Sequence, residues 1–79
     1  MGRAHFARGA PERSLVELSV YNVAGQLVRQ LFSGALEGGT HRIVWDGLDG
    51  DGRAVGSGLY VYRLQAGEWV RARKMVLIQ

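Results

Sequence analysis

The sequence predicts an all-β fold, a small antiparallel sandwich or barrel, and three observations support this prediction. Apolar and polar residues alternate with a period of two over several runs, as they do in strands with one buried face. Glycine accounts for 12 of the 79 residues, about twice its usual frequency, which favours tight turns over helices. The predicted strands recur about every ten residues, a spacing typical of small sandwiches and barrels.

The first clear strand has apolar residues at alternate positions, which share one face: Val16, Leu18 and Val20. Asn22 and Gly25 follow it, and both residue types accept turn geometry. The run from Gln26 to Phe32 is therefore predicted to be the second strand of a hairpin. A helix over residues 26–37 is the competing interpretation, but the glycines at its end would leave it too short to be stable.

Two further runs alternate in the same way. The first places three residues on one face: His41, Ile43 and Trp45. The second does the same with Tyr60, Tyr62 and Leu64. A tight turn at Gly67 and Glu68 leads into a last strand, whose closing apolar run predicts a strand covered on both faces. Residues 1–9 are predicted to be an N-terminal segment or a weak first strand, and residues 10–79 are predicted to form the folded domain.

An acidic, glycine-rich segment joins the strand that ends at Trp45 to the strand that contains Tyr60. It contains three candidate metal ligands: Asp46, Asp49 and Asp51. A calcium loop of the EF-hand type needs an acid at its first and last positions, and no register of this segment provides both. The segment also lacks the glycine spacing and the following helix of a phosphate-binding loop. We therefore predict a structural loop whose Asp side chains accept backbone hydrogen bonds. A looser Ca²⁺ site remains the alternative.

The formal net charge is +3, and basic residues gather near the two ends of the chain: Arg3, Arg8, Arg13, Arg71, Arg73 and Lys74. If the ends meet in one sheet, these residues form a modest basic face. Nucleic-acid binders usually add more charge and an aromatic platform, so a solvated surface is the favoured interpretation and no nucleic-acid partner is predicted.

An oligonucleotide-binding barrel is the structural rival, because Trp69, Tyr60 and Tyr62 could stack on bases. Tyr60 and Tyr62 share a face with Leu64, which favours a core position for both. Trp69 follows a turn and is the aromatic residue that we expect to be partly exposed.

Catalysis is not predicted. The chain has two His, at positions 5 and 41, four Ser and no Cys, and so small a sandwich could hardly hold a catalytic triad with its oxyanion site. We predict no catalytic residue and no cofactor other than the Ca²⁺ alternative. Since no run approaches the length of a membrane span, no membrane insertion is expected.

Several strings of the sequence carry a family resemblance: "YNVAGQLV" at 21–28, "WDG" at 45–47 followed by "DGDGR", "SGLYVYRL" at 57–64 and the closing "RKMVL". Together they resemble the carboxy-terminal immunoglobulin-like domains of secreted bacterial proteins. That group includes the immunoglobulin-like domain of the flagellar hook-capping protein and the sorting domains of the type IX secretion system. The resemblance runs from about residue 10 to residue 78.

The resemblance implies a small immunoglobulin-like antiparallel β-sandwich of about seven strands, without catalytic residues. Its core is expected to hold eight residues: Val16, Leu18, Val20, Ile43, Trp45, Tyr60, Tyr62 and Leu64. Three residues match positions typical of the sorting motifs: Gly58, Tyr60 and Lys74.

The expected function is that of a non-catalytic accessory module of an exported bacterial protein, at the cell surface or outside the cell. It would act in secretion sorting, surface attachment or spacing, with the secretion machinery or a cell-surface protein as partner. The main alternative is a self-assembling subunit of a fibre or surface layer, a homo-oligomer formed by pairing of edge strands.

Overall fold

The computed structural model describes residues 4–10, 13–37 and 39–78, with side chains at 13–37 and 43–78. These residues form six strands in chain order: β1 (Ala4–Ala10), β2 (Ser14–Asn22), β3 (Leu27–Leu36), β4 (Gly39–Trp45), β5 (Gly58–Ala66) and β6 (Trp69–Leu77). The all-β prediction is confirmed, and residues 27–36 form a strand, not the competing helix.

The described residues contain six strands where about seven were expected. Between β4 and β5 the chain crosses from one sheet to the other, and strand pairing there is reduced to one isolated bridge, between Leu48 and Ala54. A segment that changes sheets cannot keep a continuous ladder with either one.

None of the described residues belongs to a helix with the length and apolarity that a bilayer crossing requires.

The strands form two antiparallel sheets that face each other. The larger sheet has the order β3-β2-β5-β6, and the smaller sheet pairs β1 with β4. The β2–β3 hairpin closes where the Asn22 Oδ1 atom accepts hydrogen bonds from the N–H groups of Ala24 and Gln26, both at 3.0 Å. Gly25, with a φ of 81°, provides the left-handed residue that this turn needs.

The core lies between the two sheets and contains nine buried residues: Val16, Leu18, Val20, Trp45, Tyr60, Tyr62, Leu64, Ala66 and Leu77. Seven of the eight residues expected in the core belong to this set. The eighth, Ile43, is partly buried and packs against it. The side chain of His41, which shares the alternation of Ile43 and Trp45, lies outside the described residues.

The end of β6 differs from the sequence prediction. Its apolar run was expected to be covered on both faces, but Val76 is 67% exposed and Ile78 is 74% exposed, whereas Leu77 is buried. The sheet order explains this difference, since β6 lies at the end of the larger sheet and only one face of that sheet is covered by the smaller one.

The two basic ends of the chain come together without sharing a sheet. β1 contacts β6, but β1 belongs to the smaller sheet and β6 to the larger one. The single basic sheet face that the sequence allowed is therefore not formed. Arg3 and the side chain of Arg8 lie outside the described residues.

Candidate functional site

The connecting loop, residues 46–57, carries most of the polar chemistry that the sequence singled out. Its first acid, Asp46, directly follows β4. The Asp46 Oδ1 atom accepts a hydrogen bond from the Leu48 N–H at 3.0 Å and another from the Arg29 Nη1 atom at 3.2 Å. Arg29 lies on β3, so this ion pair ties the loop to an edge of the larger sheet.

The second acid, Asp49, organises the tip of the loop. Its Oδ1 atom accepts hydrogen bonds from the N–H groups of Asp51 and Arg53, at 2.9 and 3.0 Å. The hydrogen bond from the Arg53 N–H is the main reason why the pKa of Asp49 lies below its ordinary value of 3.8, and the Asp51 N–H acts in the same direction. The carboxylate is therefore ionised where it caps the turn.

Backbone hydrogen bonds shape the same loop into a small irregular hairpin. The Asp49 N–H donates to the Arg53 carbonyl at 2.8 Å, and the Val55 N–H donates to the Gly47 carbonyl at 3.0 Å. Gly47 and Gly52 have φ values of 80° and 81°, in the left-handed region that favours glycine. Gly47 precedes the Leu48–Ala54 bridge, and Gly52 lies in the turn that this bridge closes.

Two core aromatic residues anchor the loop at its beginning and its end. The Trp45 Nε1–H donates to the Leu48 carbonyl at 2.8 Å, and the Tyr60 hydroxyl donates to the Gly56 carbonyl at 2.6 Å. A third anchor joins the tip to β3, where the Gly50 N–H donates to the Val28 carbonyl at 3.0 Å. The loop is thus fastened to both sheets.

The three candidate metal ligands do not converge. Within residues 13–37 and 43–78, no three acidic or imidazole side chains form a group that could hold an ion. The Oδ1 atoms of Asp46 and Asp49 each accept hydrogen bonds from two N–H donors of the protein. The hydrogen bonds of this loop therefore support the structural interpretation of the acidic segment.

A wide groove of about 670 Å³ lies between the connecting loop and the β2–β3 turn. Polar side chains from both sides line it, among them Asn22, Gln26, Arg29 and Asp49. Asn22 already bonds Gln26 across the turn, at 2.8 Å between Nδ2 and Oε1, and Asp49 caps the loop. These lining groups are used to hold their own segments in shape.

The face of the larger sheet that points away from the core is called the outer face here. Six apolar residues on this face, or in the turn and strand ends beside it, are exposed to solvent: Leu15, Val23, Leu27, Leu59, Val70 and Val76. A shallow depression of about 340 Å³ lies on this face, lined by Tyr21, Val23, Val61, Arg63 and Ala72 together with Asn22 and Gly25. The alternation of apolar and polar residues does not reveal this face, because it does not show which strands receive a second layer.

The sorting-motif matches are divided between the surface and the interior. Gly58 begins β5 and is exposed, Tyr60 is buried in the core, and Lys74 is exposed on the outer face opposite Val61. Tyr60 packs edge to face against Trp45. It therefore has a structural role whatever Gly58 and Lys74 do.

The edge strand β6 presents its two arginines on the opposite face. Arg71 and Arg73 pair in register with Leu64 and Tyr62, so they lie on the core-facing side of the sheet and yet are exposed. The Arg71 guanidinium lies 5.5 Å from the centre of the Trp69 ring, a cation–π contact. Trp69 is partly exposed, as its place after a turn indicated.

Comparisons with known proteins identify the fold. The crystal structure of FlgD from P. aeruginosa matches 95% of this chain with a TM-score of 0.75 and 22% sequence identity. The chain spans 59% of the length of that FlgD chain. No curated protein gives a significant match. The family model of the FlgD Ig-like domain matches residues 7–68, and because this range is well over half of the sequence, the chain belongs to the FlgD Ig-like domain family.

Proposed function

We propose that this domain is a non-catalytic accessory module of an exported bacterial protein, and that it attaches its host to a protein assembly at the cell surface or outside the cell. The observation that carries the proposal is the exposed apolar surface at the end of the outer face beside the β2–β3 turn, which holds Val23, Leu27, Leu59 and Val76. Continuous exposed apolar patches of this kind mark protein–protein contacts, whereas single exposed apolar residues need no explanation.

The register of the strands shows that the outer-face residues are neighbours. Val76 on β6 lies opposite Leu59 on β5, and Tyr21 on β2 lies between Leu27 on β3 and Val61 on β5. Apolar surface therefore runs across all four strands at the end of the sheet that holds the β2–β3 turn. Burying it would contribute about 25 cal/mol per Å² to an association.

Family membership supports a flagellar protein as the host of this domain. The family is named for FlgD, and the sequence resembles the immunoglobulin-like domain of the flagellar hook-capping protein. A host protein of that kind would place the domain in an extracellular assembly. Secretion sorting is the finer alternative, which the exposed positions of Gly58 and Lys74 keep open although the comparisons do not support it.

A reporter fusion tests the proposal. Residues 1–79 are fused to an exported reporter and expressed in a flagellated bacterium without type IX machinery and in a host that has it. We expect the reporter to fractionate with the flagellar or surface assemblies of the flagellated host. Replacing Leu59 and Val76 by Ser should release the reporter, because the change removes apolar contact surface. Both side chains are exposed, so the core is left untouched.

The control fusion carries Ser at Leu15, an exposed apolar residue at the other end of the sheet. Retention of the reporter in the periplasm of both hosts would contradict attachment and sorting alike. Delivery that occurs only in the type IX host and is lost with Lys74→Ala would replace attachment by sorting.

Self-assembly through edge strands is the second candidate, and the two edges of the larger sheet, β3 and β6, favour it. Pairing β3 of one copy with β6 of the next would extend without closing and produce a fibre. Light scattering of the pure chain over a range of concentrations tests this candidate. A monomer that persists at every concentration would contradict it.

A further inference from the structure

We propose that the free edge of β6 is a docking site for an extended acidic segment of another polypeptide, which adds to the larger sheet as a further strand. This inference rests on the proposed function and deepens it, because it names a surface and the chemical class of a partner. Strand addition of this kind gains affinity from main-chain hydrogen bonds and specificity from alternating side chains.

The edge of β6 is long and regular. Its pairing with β5 runs without a register shift from Ala66–Trp69 to Gly58–Leu77. On the other side of β6, no strand of the described chain pairs with it, since β1 contacts β6 but forms its ladder with β4. Alternate residues of β6 therefore direct their N–H and C=O groups away from the sheet, where a further strand could bond them.

The other edge of the larger sheet is a poorer template. The pairing of β3 with β2 is interrupted by two register shifts, next to Leu18 and next to Val20. Such irregularities twist an edge and interrupt its row of hydrogen-bonding groups. Of the two edges, β6 is the one that an incoming strand could follow over its full length.

The charges on β6 indicate which strand would fit. Arg71 and Arg73 are two residues apart, so they lie on the same face, and both are exposed. An added strand would meet this pair with the side chains of two of its own alternate residues. Carboxylates at those positions would face the guanidinium groups, and opposite charges directly across a pair of strands are stabilising. The intervening residues would lie beside the outer-face residues of β6: Val70, Ala72, Lys74 and Val76.

A second copy of this chain does not fit that description. Antiparallel pairing of β6 with β6 would bring like charges together, which is destabilising. Of the six described strands, only β2 contains an acidic residue, Glu17, and β2 is paired on both sides. None of the described strands of a second copy therefore supplies a free acidic strand, and we assign the complementary strand to a different polypeptide.

Peptide binding tests the proposal. The probe has nine residues, the length of β6, with two Glu separated by one residue and Thr or Val elsewhere. Its controls are the same peptide with Lys for Glu, and a version with Pro at alternate positions, which removes the ladder donors. Backbone amide exchange of the 79-residue chain, measured by NMR, should show new protection at alternate residues of β6 with the Glu peptide alone, and added salt should weaken it.

A charge reversal with a matched control completes the experiment. Arg73→Glu should weaken the Glu peptide about fivefold and favour the Lys peptide, since one attractive exposed pair becomes repulsive. Arg63→Glu makes the same change of net charge on an exposed residue of the interior strand β5 and should leave both affinities unchanged. Circular dichroism shows whether each variant is folded, and the comparison between peptides on the unaltered chain does not depend on any variant.

Several results would overturn the proposal. The first is equal binding of the Glu and Lys peptides, and the others are binding of the Pro peptide and equal weakening by Arg63→Glu. Absence of binding by every peptide would also overturn it, and Arg71 and Arg73 would then be charges that protect an unpaired edge from aggregation. Dimerisation that protects β6 or preferential binding to vesicles of anionic lipid would assign the edge another occupant. A reporter that still attaches when β6 binds no peptide would refute the edge site alone and leave the proposed function intact.

Discussion

Trp45 and Tyr60 meet edge to face, with ring centroids 5.2 Å apart and ring planes at 73°, and each donates its polar hydrogen to the loop that joins their strands. The two rings are buried between the sheets, while their polar atoms reach carbonyl oxygens near the two ends of the connecting loop. Core packing and loop conformation are thereby coupled through one aromatic pair.

Replacing Trp45 by Phe should destabilise the domain by about 2 kcal/mol, because a fully buried ring loses volume and its hydrogen bond to Leu48. Urea unfolding gives the free energy. Trp69→Phe, at a partly exposed position, is the control and should cost less. Equal losses in the two variants would contradict a special role for the Trp45 indole.

Replacing Tyr60 by Phe keeps the ring contact and removes only the hydrogen bond to the Gly56 carbonyl. The expected loss is about 1 kcal/mol, together with faster amide exchange near the end of the connecting loop. Tyr21→Phe, on the outer face, serves as the control. If exchange in the loop stays unchanged, the hydroxyl does not anchor it.

Asp49 should make the stability of the domain depend on pH in acid. Its pKa is lowered in the folded state, so its contribution is present above the ordinary value of 3.8 and is lost as the pH falls through the lower folded value. The wild type should be more stable than Asp49→Asn at neutral pH, and the two should converge in acid. Urea midpoints over that range measure the effect.

The control for this experiment is Asp51→Asn, which alters a neighbouring carboxylate and keeps the Asp51 N–H that bonds Asp49. It should cost less stability than Asp49→Asn at neutral pH, because the hydrogen bonds accepted by Asp49 stay in place. A constant difference between Asp49→Asn and the wild type at every pH would show that the ionised carboxylate is unimportant for stability.

Gly52 and Gly56 form a matched pair within the connecting loop. A Cβ atom would meet open space at either position, but Gly52 has a φ of 81° and Gly56 does not have a positive φ. Gly52→Ala should therefore cost about 1 kcal/mol through backbone strain alone. Gly56→Ala should change stability by about 0.5 kcal/mol or less. Similar losses at both positions would point to a steric cause that the structure does not contain.

The Arg29–Asp46 ion pair should contribute modestly. Its side chains are 31% and 47% exposed, against 69% and 77% for the Arg13–Glu37 pair. A double-mutant cycle with Arg29→Met and Asp46→Asn should give a coupling of about 0.5 kcal/mol, and the second pair should give less. The cycle is needed because Arg29 also donates to the Leu48 carbonyl. A coupling near zero for the Arg29–Asp46 pair would leave the hydrogen bond to the Leu48 carbonyl as the stabilising contact of Arg29.

Much of the fold could be predicted from local alternation. Val16, Leu18 and Val20 are apolar at every second position, and strand geometry sends such residues to one side. The structural role of Asp49 could also be anticipated, because Asp commonly accepts N–H groups two residues ahead in turns. These features depend on neighbours in the sequence and therefore leave a local pattern.

Features that depend on distant pairing could not be predicted in this way. The link between Arg29 and Asp46 joins the connecting loop to the larger sheet across a separation of 17 residues, and no local pattern encodes it. The exposure of Val76 follows from its place on the outer face of the larger sheet, where Leu59 of the interior strand β5 is exposed as well. A run of apolar residues looks the same whether or not a second layer covers it, so its environment becomes known only with the sheet order.

The separation of β1 and β6 into different sheets also determines how the domain would bear mechanical load. Tension applied through these two strands cannot travel along one uninterrupted ladder of main-chain bonds. It must cross the interface between the sheets, where side-chain packing and the fastened crossover resist shear.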